Sequence, residues 1–147
     1  MEQLIWLALA APLLGFIVLM LFGQSLPRVL VGVIACLAIL WAFGCFSVLT
    51  ANYVQSGMHP IQAKLYSWIP VQGVDANFSA TLDALSLMMT LIITGVGFLI
   101  HVYSIGYMHE DEYQPRFMCY LSLFTFCMLM LVTADNLLQM FFGWEGV

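Results

Sequence analysis

Long apolar runs separated by short polar links form the dominant pattern of this chain. The first run, Leu4 to Phe22, is 19 residues without a charge or a side-chain amide. At 1.5 Å per residue it extends roughly 28 Å, enough to cross the ~30 Å hydrocarbon core of a bilayer. Three further runs extend from near Val29 to Thr50, from near Leu85 to Tyr103 and from near Phe117 to Val132. Each of the four predicts a membrane-spanning helix.

The first run also has to be distinguished from a cleaved signal peptide. A signal peptide has a basic n-region, a shorter apolar stretch and a small-residue cleavage site. Here Glu2 makes the n-region acidic, and the run leads into Gly23 and Gln24. We interpret it as a retained helix, in which neighbouring helices can compensate for Pro12.

A fifth apolar run starts near Asn136 and is short. It contains Phe142-Gly143-Trp144-Glu145 and reaches only Val147. Its roughly ten residues cannot span a bilayer, and a chain end inside hydrocarbon would leave polar groups unsatisfied. We therefore expect the natural polypeptide to continue beyond Val147.

Residues 51–84 form the longest polar segment, and they alternate with period two. Tyr66 and Trp68 alternate with Ser67, and a second alternating stretch follows Gln72-Gly73. This pattern predicts a β-hairpin, with its aromatic residues suited to the water–lipid boundary. The predicted fold is an all-α transmembrane helix bundle with four full spans, the start of a fifth, and a short hairpin between spans 2 and 3. Its predicted parts are residues 1–54, 55–84 and 85–147.

Composition and charge agree with a membrane protein. The chain is 63% hydrophobic and 7% charged, with a mean hydropathy of +1.01, whereas soluble domains carry roughly 25% charged residues. Its three bases are too few to form a nucleic-acid surface. Arg28 and Arg116 fall on one side of the predicted membrane and Lys64 on the other, so the positive-inside rule places the N-terminus and the hairpin outside.

Motifs of soluble enzymes and metal sites do not occur in the sequence. It contains no phosphate loop, no dinucleotide fingerprint and no zinc-protease motif. The four cysteines form no CxxC pair and lie in apolar runs, where free cysteine is a small core residue. We therefore predict no cofactor or metal site within this chain.

Three polar residues at the predicted helices are candidates for helix packing or a proton path. Asp83 and Asp135 each precede a predicted helix, where an acid serves as an N-cap or complements the helix dipole. His101 lies near an end of the third span, where an imidazole can join a proton path or bond across helices. We favour the capping role for both acids and the packing role for His101.

Glu145 is the strongest candidate for chemistry. It lies about nine residues into the fifth run, roughly 13 Å along a helix and near the middle of a ~30 Å core. Placing an acid there costs at least ~2.5 kcal/mol, and fold maintenance does not require it. A carboxyl group so placed must pair with a base or hold a proton. Glu145 is therefore predicted to be a proton relay.

Several segments resemble subunit L of respiratory complex I, the proton-translocating NADH–quinone oxidoreductase, and its mitochondrial counterpart, subunit 5. The resemblance rests on Asp83-Ala84-Leu85-Ser86, on the run His101-Val102-Tyr103-Ser104-Ile105-Gly106-Tyr107-Met108 and on Asp135-Asn136-Leu137-Leu138. It also includes Phe142-Gly143-Trp144-Glu145-Gly146-Val147 and the hairpin residues Tyr66-Ser67-Trp68-Ile69-Pro70. It covers nearly the whole chain and is strongest from Asp83 onward.

The resemblance implies a membrane-arm subunit in which Glu145 lies on the fifth helix of an antiporter-like half-channel and pairs with a lysine on a later helix. Flavin, iron–sulfur clusters and quinone would belong to other subunits of the complex. The expected location is a bacterial inner membrane, with the mitochondrial inner membrane as the alternative. Two other functions stay open: the large subunit of a multisubunit cation/proton antiporter, and an assembly subunit in which Glu145 is structural.

Overall fold

The computed structural model describes residues 2–71 and 74–147, with side chains described outside residues 66–76. Five helices and two strands follow one another along the chain. They are α1 (Glu2–Phe22), α2 (Arg28–Gln55), β1 (Ile61–Val71), β2 (Val74–Leu82), α3 (Ala84–Tyr107), α4 (Gln114–Val132) and α5 (Leu137–Gly146). The predicted fold class, an all-α membrane bundle with one hairpin, is confirmed.

Helices α1 to α4 are each long and apolar enough to cross a membrane. All four extend beyond the predicted spans, and the largest extensions are in α2, which continues to Gln55, and α3, which continues to Tyr107. A drop in hydropathy marks where the chain meets water. The helix itself can continue there, because its backbone hydrogen bonds lie within the helix.

Small residues allow the helices to approach one another. A Cβ atom at Gly32 of α2 would lie 2.7 Å from the Ile105 side chain of α3, and one at Gly95 would lie 3.2 Å from the Phe43 ring. These contacts are the close packing that small residues permit in membrane helices. Gly95 and Gly97 both lie in the third apolar run, where glycines are expected to allow close helix packing. Gly97 makes no such contact, because a Cβ atom there would meet no atom of the described residues within 4 Å.

The core forms two clusters at opposite ends of the bundle. The cluster beside the hairpin contains Ile5, Phe46 and Leu129 together with Ala80 and Leu82 of β2. The cluster at the other end contains Leu19, Val31 and Met118. Since strand residues belong to the first cluster, the hairpin is part of the folded core at that end, which we call the hairpin end.

Large apolar side chains also cover the outer surface of the helices. Leu14 is 59% exposed, Leu37 57% and Leu99 65%. Contiguous exposed apolar surface of this extent is unfavourable in water and stable against lipid. Together with the four long helices, it identifies an integral membrane protein.

The two strands pair antiparallel along their whole length, from Ile61 opposite Leu82 to Val71 opposite Val74. Two register irregularities fall within β1, between Lys64 and Tyr66 and between Ser67 and Ile69. The predicted hairpin is confirmed. The turn predicted at 72–73 lies outside the described residues, and so do the side chains of Tyr66 and Trp68.

The connections alternate between the two ends of the bundle. At the hairpin end, the Trp6 ring of α1 stacks on the Phe78 ring of β2, with centroids 6.0 Å apart. At the opposite end, Nη1 of Arg28 donates a hydrogen bond of 3.0 Å to the carbonyl oxygen of His109. The α1–α2 and α3–α4 links therefore share one end, and the hairpin shares the other with the α4–α5 link.

Candidate functional site

Glu145 lies on the side of α5 that faces away from the other helices. Gln139 and Gly143 are buried residues of α5, and they lie on one stripe of the helix with Gly146 at spacings of four and three residues. Glu145 follows Gly143 by two residues, a rotation of about 200° around the helix. Its side chain is accordingly exposed in this chain, as are those of Phe141 and Phe142.

Two glycines bring α5 against α4. A Cβ atom at Gly143 would lie 2.8 Å from the backbone nitrogen of Leu131 and 2.9 Å from its Cα atom. A Cβ atom at Gly146 would collide with Sγ of Cys127. The buried stripe of α5 therefore packs closely against α4 because its glycines have no side chains. Glu145 lies on the opposite side of the helix.

The first turn of α5 is capped by Asn136. Its side-chain oxygen accepts a hydrogen bond of 2.8 Å from the backbone N–H of Gln139. The capping role predicted for Asp135 is wrong. Asn136 is the residue directly before Leu137 and takes the N-cap position, so Asp135 lies one residue too early.

Asp135 instead binds the hairpin. Its carboxylate accepts hydrogen bonds from the hydroxyl groups of Ser79, at 2.9 Å, and Thr81, at 2.7 Å. Asn136 donates from its side chain to the carbonyl oxygen of Asn77. Oε1 of Gln139 accepts from the backbone N–H of Ser79 at 3.1 Å, and this bond is buried.

We call this polar group the hairpin clamp. It consists of three residues of β2, two residues just before α5 and one residue in the first turn of α5, namely Asn77, Ser79, Thr81, Asp135, Asn136 and Gln139. A backbone hydrogen bond of 2.9 Å from Thr81 N–H to the carbonyl oxygen of Thr133 strengthens the same junction. The clamp thus attaches the helix that carries Glu145 to a strand some 55 to 60 residues earlier in the chain.

Asp83 caps α3, as predicted. Its carboxylate accepts a hydrogen bond of 2.7 Å from the backbone N–H of Ser86. Hydrogen bonding from the side chain and the backbone of Ser86 holds the pKa of Asp83 below its ordinary value. The carboxylate is therefore in its charged form at neutral pH, and it lies in the link between the hairpin and α3 rather than within the helix.

His101 is fully buried in α3, on a stripe of polar residues that also contains Thr90, Thr94 and Ser104. Its Nδ1 atom lies 2.7 Å from the carbonyl oxygen of Gly97. A carbonyl only accepts, so Nδ1 carries the proton in this contact. Nε2 is buried and has no hydrogen-bond partner among the described residues.

The four predicted site residues lie in three different parts of the fold. Asp83 and Asp135 both lie at the hairpin end, while His101 is within α3 and Glu145 is within α5. Sequence reasoning missed Gln139, which is 2% exposed and bonds the hairpin. Its signal was an amide inside an apolar run, four residues before Gly143 on the same helical stripe. No group of three or more metal-ligating side chains occurs among the residues that the structure describes.

Comparison with known proteins gives a consistent relationship. Residues 68–118 match the family model described as NADH-ubiquinone oxidoreductase (complex I), chain 5 N-terminus. NADH-quinone oxidoreductase subunit L of Mycobacterium tuberculosis is 42% identical over 144 residues, which is 97% of this chain and 23% of the relative. NADH-ubiquinone oxidoreductase chain 5 of Triticum aestivum is 42% identical over 137 residues, covering 92% of this chain and 20% of the relative.

A more distant bacterial relative agrees. Subunit L of Neisseria meningitidis is 34% identical over 138 residues, which is 92% of this chain and 20% of the relative. These matches confirm the resemblance to the subunit L and chain 5 family that the sequence predicted. The chain spans between 20% and 23% of the length of these three relatives.

Proposed function

We propose that this chain is the N-terminal part of a membrane-arm subunit of a proton-translocating NADH–quinone oxidoreductase, in which Glu145 carries the proton. The observation that carries the proposal is the position of Glu145. It is an acid on an apolar helix of a membrane bundle, on the side turned away from α4 and open to further helices. The related proteins, all named as subunits of NADH–quinone or NADH–ubiquinone oxidoreductases, support the same assignment.

The chemistry required of Glu145 is proton uptake and release. An ionised carboxylate is penalised in hydrocarbon unless a base lies beside it. A base that approaches Glu145 favours its charged form, and a base that withdraws favours the protonated form. The resemblance implies a lysine on a later helix, outside residues 1–147, as that base. Glu145 then accepts a proton from one side of the membrane and gives it up toward the other.

Electron transfer belongs to other parts of the assembly in this proposal. Flavin, iron–sulfur clusters and quinone would be bound by other subunits, and NADH oxidation would drive the change at Glu145 from a distance. The direct partners would be other membrane-arm subunits and lipid. We propose a bacterial inner membrane as its location, ahead of the mitochondrial inner membrane.

The remaining predicted residues have supporting roles in this proposal. Asp83 stabilises the start of α3, and Asp135 binds the hairpin. His101 packs inside the bundle, because its one hydrogen bond is made within its own helix. The relatives reported above carry oxidoreductase names, which favours a redox-driven complex over the cation/proton antiporter considered from the sequence.

The test is Glu145→Gln in the full-length chain within its complex. Gln keeps the size and polarity of Glu but cannot release a proton. Inverted membrane vesicles would be supplied with NADH, and proton uptake would be measured together with NADH oxidation. We expect the number of protons moved per NADH to fall several-fold while the amount of assembled complex is unchanged. The matched control is Glu112→Gln, the same chemical change on an exposed residue of the α3–α4 link.

Normal pumping in the Glu145→Gln variant would overturn the proton-relay role. The same assay on His101→Met tests the packing role of the histidine, since Met fills similar space and cannot bind a proton. Retained pumping in that variant is expected. A several-fold loss in correctly assembled His101→Met complex would instead place His101 on the proton path.

A further inference from the structure

We propose that the hairpin clamp sets the depth and rotation of α5, so that Gln139 is a positioning residue for the Glu145 carboxyl group. This inference rests on the proton-relay role proposed for Glu145. It concerns residues that lie six or more positions before the glutamate.

The buried centre of the clamp is the contact between Gln139 and β2. Gln139 and Ser79 are 2% and 5% exposed, and the bond from Ser79 N–H to Oε1 of Gln139 is buried. The backbone N–H of a strand cannot move without moving the strand. Gln139 is therefore bonded to a rigid element at a fixed height along the bundle axis.

Gln139 retains a cost that an apolar residue would avoid. Its Nε2 atom is buried without a hydrogen-bond partner among the described residues. An unsatisfied buried donor is destabilising, whereas an apolar side chain of the same shape would not be. The amide orientation follows from Ser79 N–H, which requires an acceptor. The residue is thus explained by the single bond that it accepts from the hairpin.

Surrounding contacts make the junction directional. Asp135 accepts hydrogen bonds from two hydroxyl groups of β2. Asn136 caps α5 and also donates a hydrogen bond to the carbonyl oxygen of Asn77. The strand itself is held by the hydrogen bond from Thr81 to Thr133 and by packing of Ala80 and Leu82 in the core. The start of α5 is therefore fixed from several directions at once.

The clamp and the glycine contacts together determine where Glu145 lies. Gln139, Gly143 and Gly146 occupy one stripe of α5, so the clamp acts on the side that faces α4. Glu145 lies six residues after Gln139, about 9 Å along the helix and about 240° around it. Because a short helix is stiff, a rotation or shift at Gln139 moves the carboxyl group by a similar amount.

The first experiment measures position directly. In the full-length chain within its complex, Glu145→Cys would be introduced after replacement of all native cysteines by alanine, and its reaction rate with a small maleimide would be followed. Gln139→Met removes the acceptor and keeps the side-chain volume. We expect it to change the labelling rate at position 145 several-fold. Gln24→Met is the control, because Gln24 is an exposed residue of the α1–α2 link, at the end of the bundle opposite the clamp.

A second variant approaches the clamp from the hairpin. Ser79→Ala combined with Thr81→Val removes both hydroxyl donors to Asp135 and leaves α5 unchanged in sequence. The conservative pair Ser79→Thr and Thr81→Ser keeps both hydroxyl groups and should restore the labelling rate. In chains with native Glu145, Gln139→Met and the hairpin pair should also lower the number of protons moved per NADH.

The outcomes separate this inference from the proposed function. Labelling at position 145 that stays unchanged in assembled Gln139→Met and hairpin variants would overturn the positioning role. Changed labelling with unchanged pumping, while Glu145→Gln stops pumping, would overturn it as well. Normal pumping in Glu145→Gln would reject the relay itself, whatever the labelling shows. If Gln139→Met fails to assemble, the milder Thr81→Val variant decides by the same two measurements.

Discussion

Asp83 and Asp135 occupy similar positions in the sequence, each just before a helix, and they make different contacts. Asp83 directly precedes Ala84 and caps α3, whereas Asn136 stands between Asp135 and α5. Capping depends on residues three positions apart, so the role of Asp83 could be predicted from the sequence. The hydroxyl partners of Asp135 lie more than 50 residues away and could not.

The Asp83 cap gives a stability prediction. Asp83→Ala removes the acceptor for Ser86 N–H and should lower the stability of the full-length chain by about 0.5–2 kcal/mol, the usual range for a lost N-cap. Asp83→Asn keeps an acceptor oxygen and should cost less. Thermal denaturation of the purified chain in detergent measures both variants. A loss from Asn as large as that from Ala would contradict the capping role.

The charge of Asp83 adds a pH dependence to the same measurement. Its pKa in the folded chain is lowered by hydrogen bonding from Ser86, so its stabilising effect is fully present above the unfolded pKa. The effect is lost as the pH falls through the folded pKa. The stability difference between the native chain and Asp83→Asn should therefore be largest near neutral pH and shrink in acid.

At the scale of the elements, α5 could be predicted as a helix, but its packing against α4 could not. A run of about ten apolar residues with one acid predicted the helix and singled out Glu145. The side of the helix that meets α4 was not predicted, because it carries Gln139, Gly143 and Gly146, whereas the large apolar residues lie on the same side as Glu145. The side is decided by Gly143 and Gly146, where α4 comes within contact of the α5 backbone.

Substitutions at these glycines should separate a backbone contact from a side-chain contact. Gly143→Ala places a methyl group 2.8 Å from the Leu131 backbone, which cannot change rotamer, so we expect α5 to shift and pumping to fall. Overpacking of this kind typically costs about 1–3 kcal/mol. In Gly146→Ala the new methyl group collides with Sγ of Cys127, so adding Cys127→Ala should restore stability and pumping. Thermal stability and protons moved per NADH are the measurements.

Gly44 of α2 provides the matched control for this series. A Cβ atom there meets no atom of the described residues within 4 Å, so Gly44→Ala should leave stability and pumping unchanged or slightly improved. Restoration of Gly143→Ala by Cys127→Ala would contradict the backbone-contact explanation. So would a Gly143→Ala variant that behaves like Gly44→Ala.

The helices and the hairpin could be predicted from the sequence, but the contacts between them could not. Hydropathy located four long helices because each buries or exposes its apolar surface to lipid over nearly its whole length. Period-two alternation located the hairpin because side chains alternate along a strand. The hairpin clamp was not predicted because Ser79, Thr81 and Gln139 have no distinctive sequence pattern, and only the fold brings them together. Glu145 could be selected as a candidate from the sequence because an acid within an apolar run is rare.

At the scale of the whole molecule, the links between helices alternate between the two ends of the bundle, and the three basic residues are divided between these ends. Arg28 bonds to the link that precedes Arg116, so both bases share one end of the bundle. Lys64 lies in the hairpin at the other end. The structure therefore agrees with the orientation prediction in placing Arg28 and Arg116 at one end and Lys64 at the other.

The positive-inside rule assigns the end with two bases to the cytoplasm and the hairpin end to the outer side. Single cysteines can test this in the full-length chain after replacement of its native cysteines. The four cysteines of residues 1–147 are buried in the helices. Lys64→Cys and Glu110→Cys both substitute exposed residues, one at each end. A membrane-impermeant thiol reagent should label Lys64→Cys in intact bacterial cells and Glu110→Cys only in inverted vesicles. The reverse pattern would invert the orientation. It would also reverse the side from which Glu145 would receive its proton in the relay role that we propose for it.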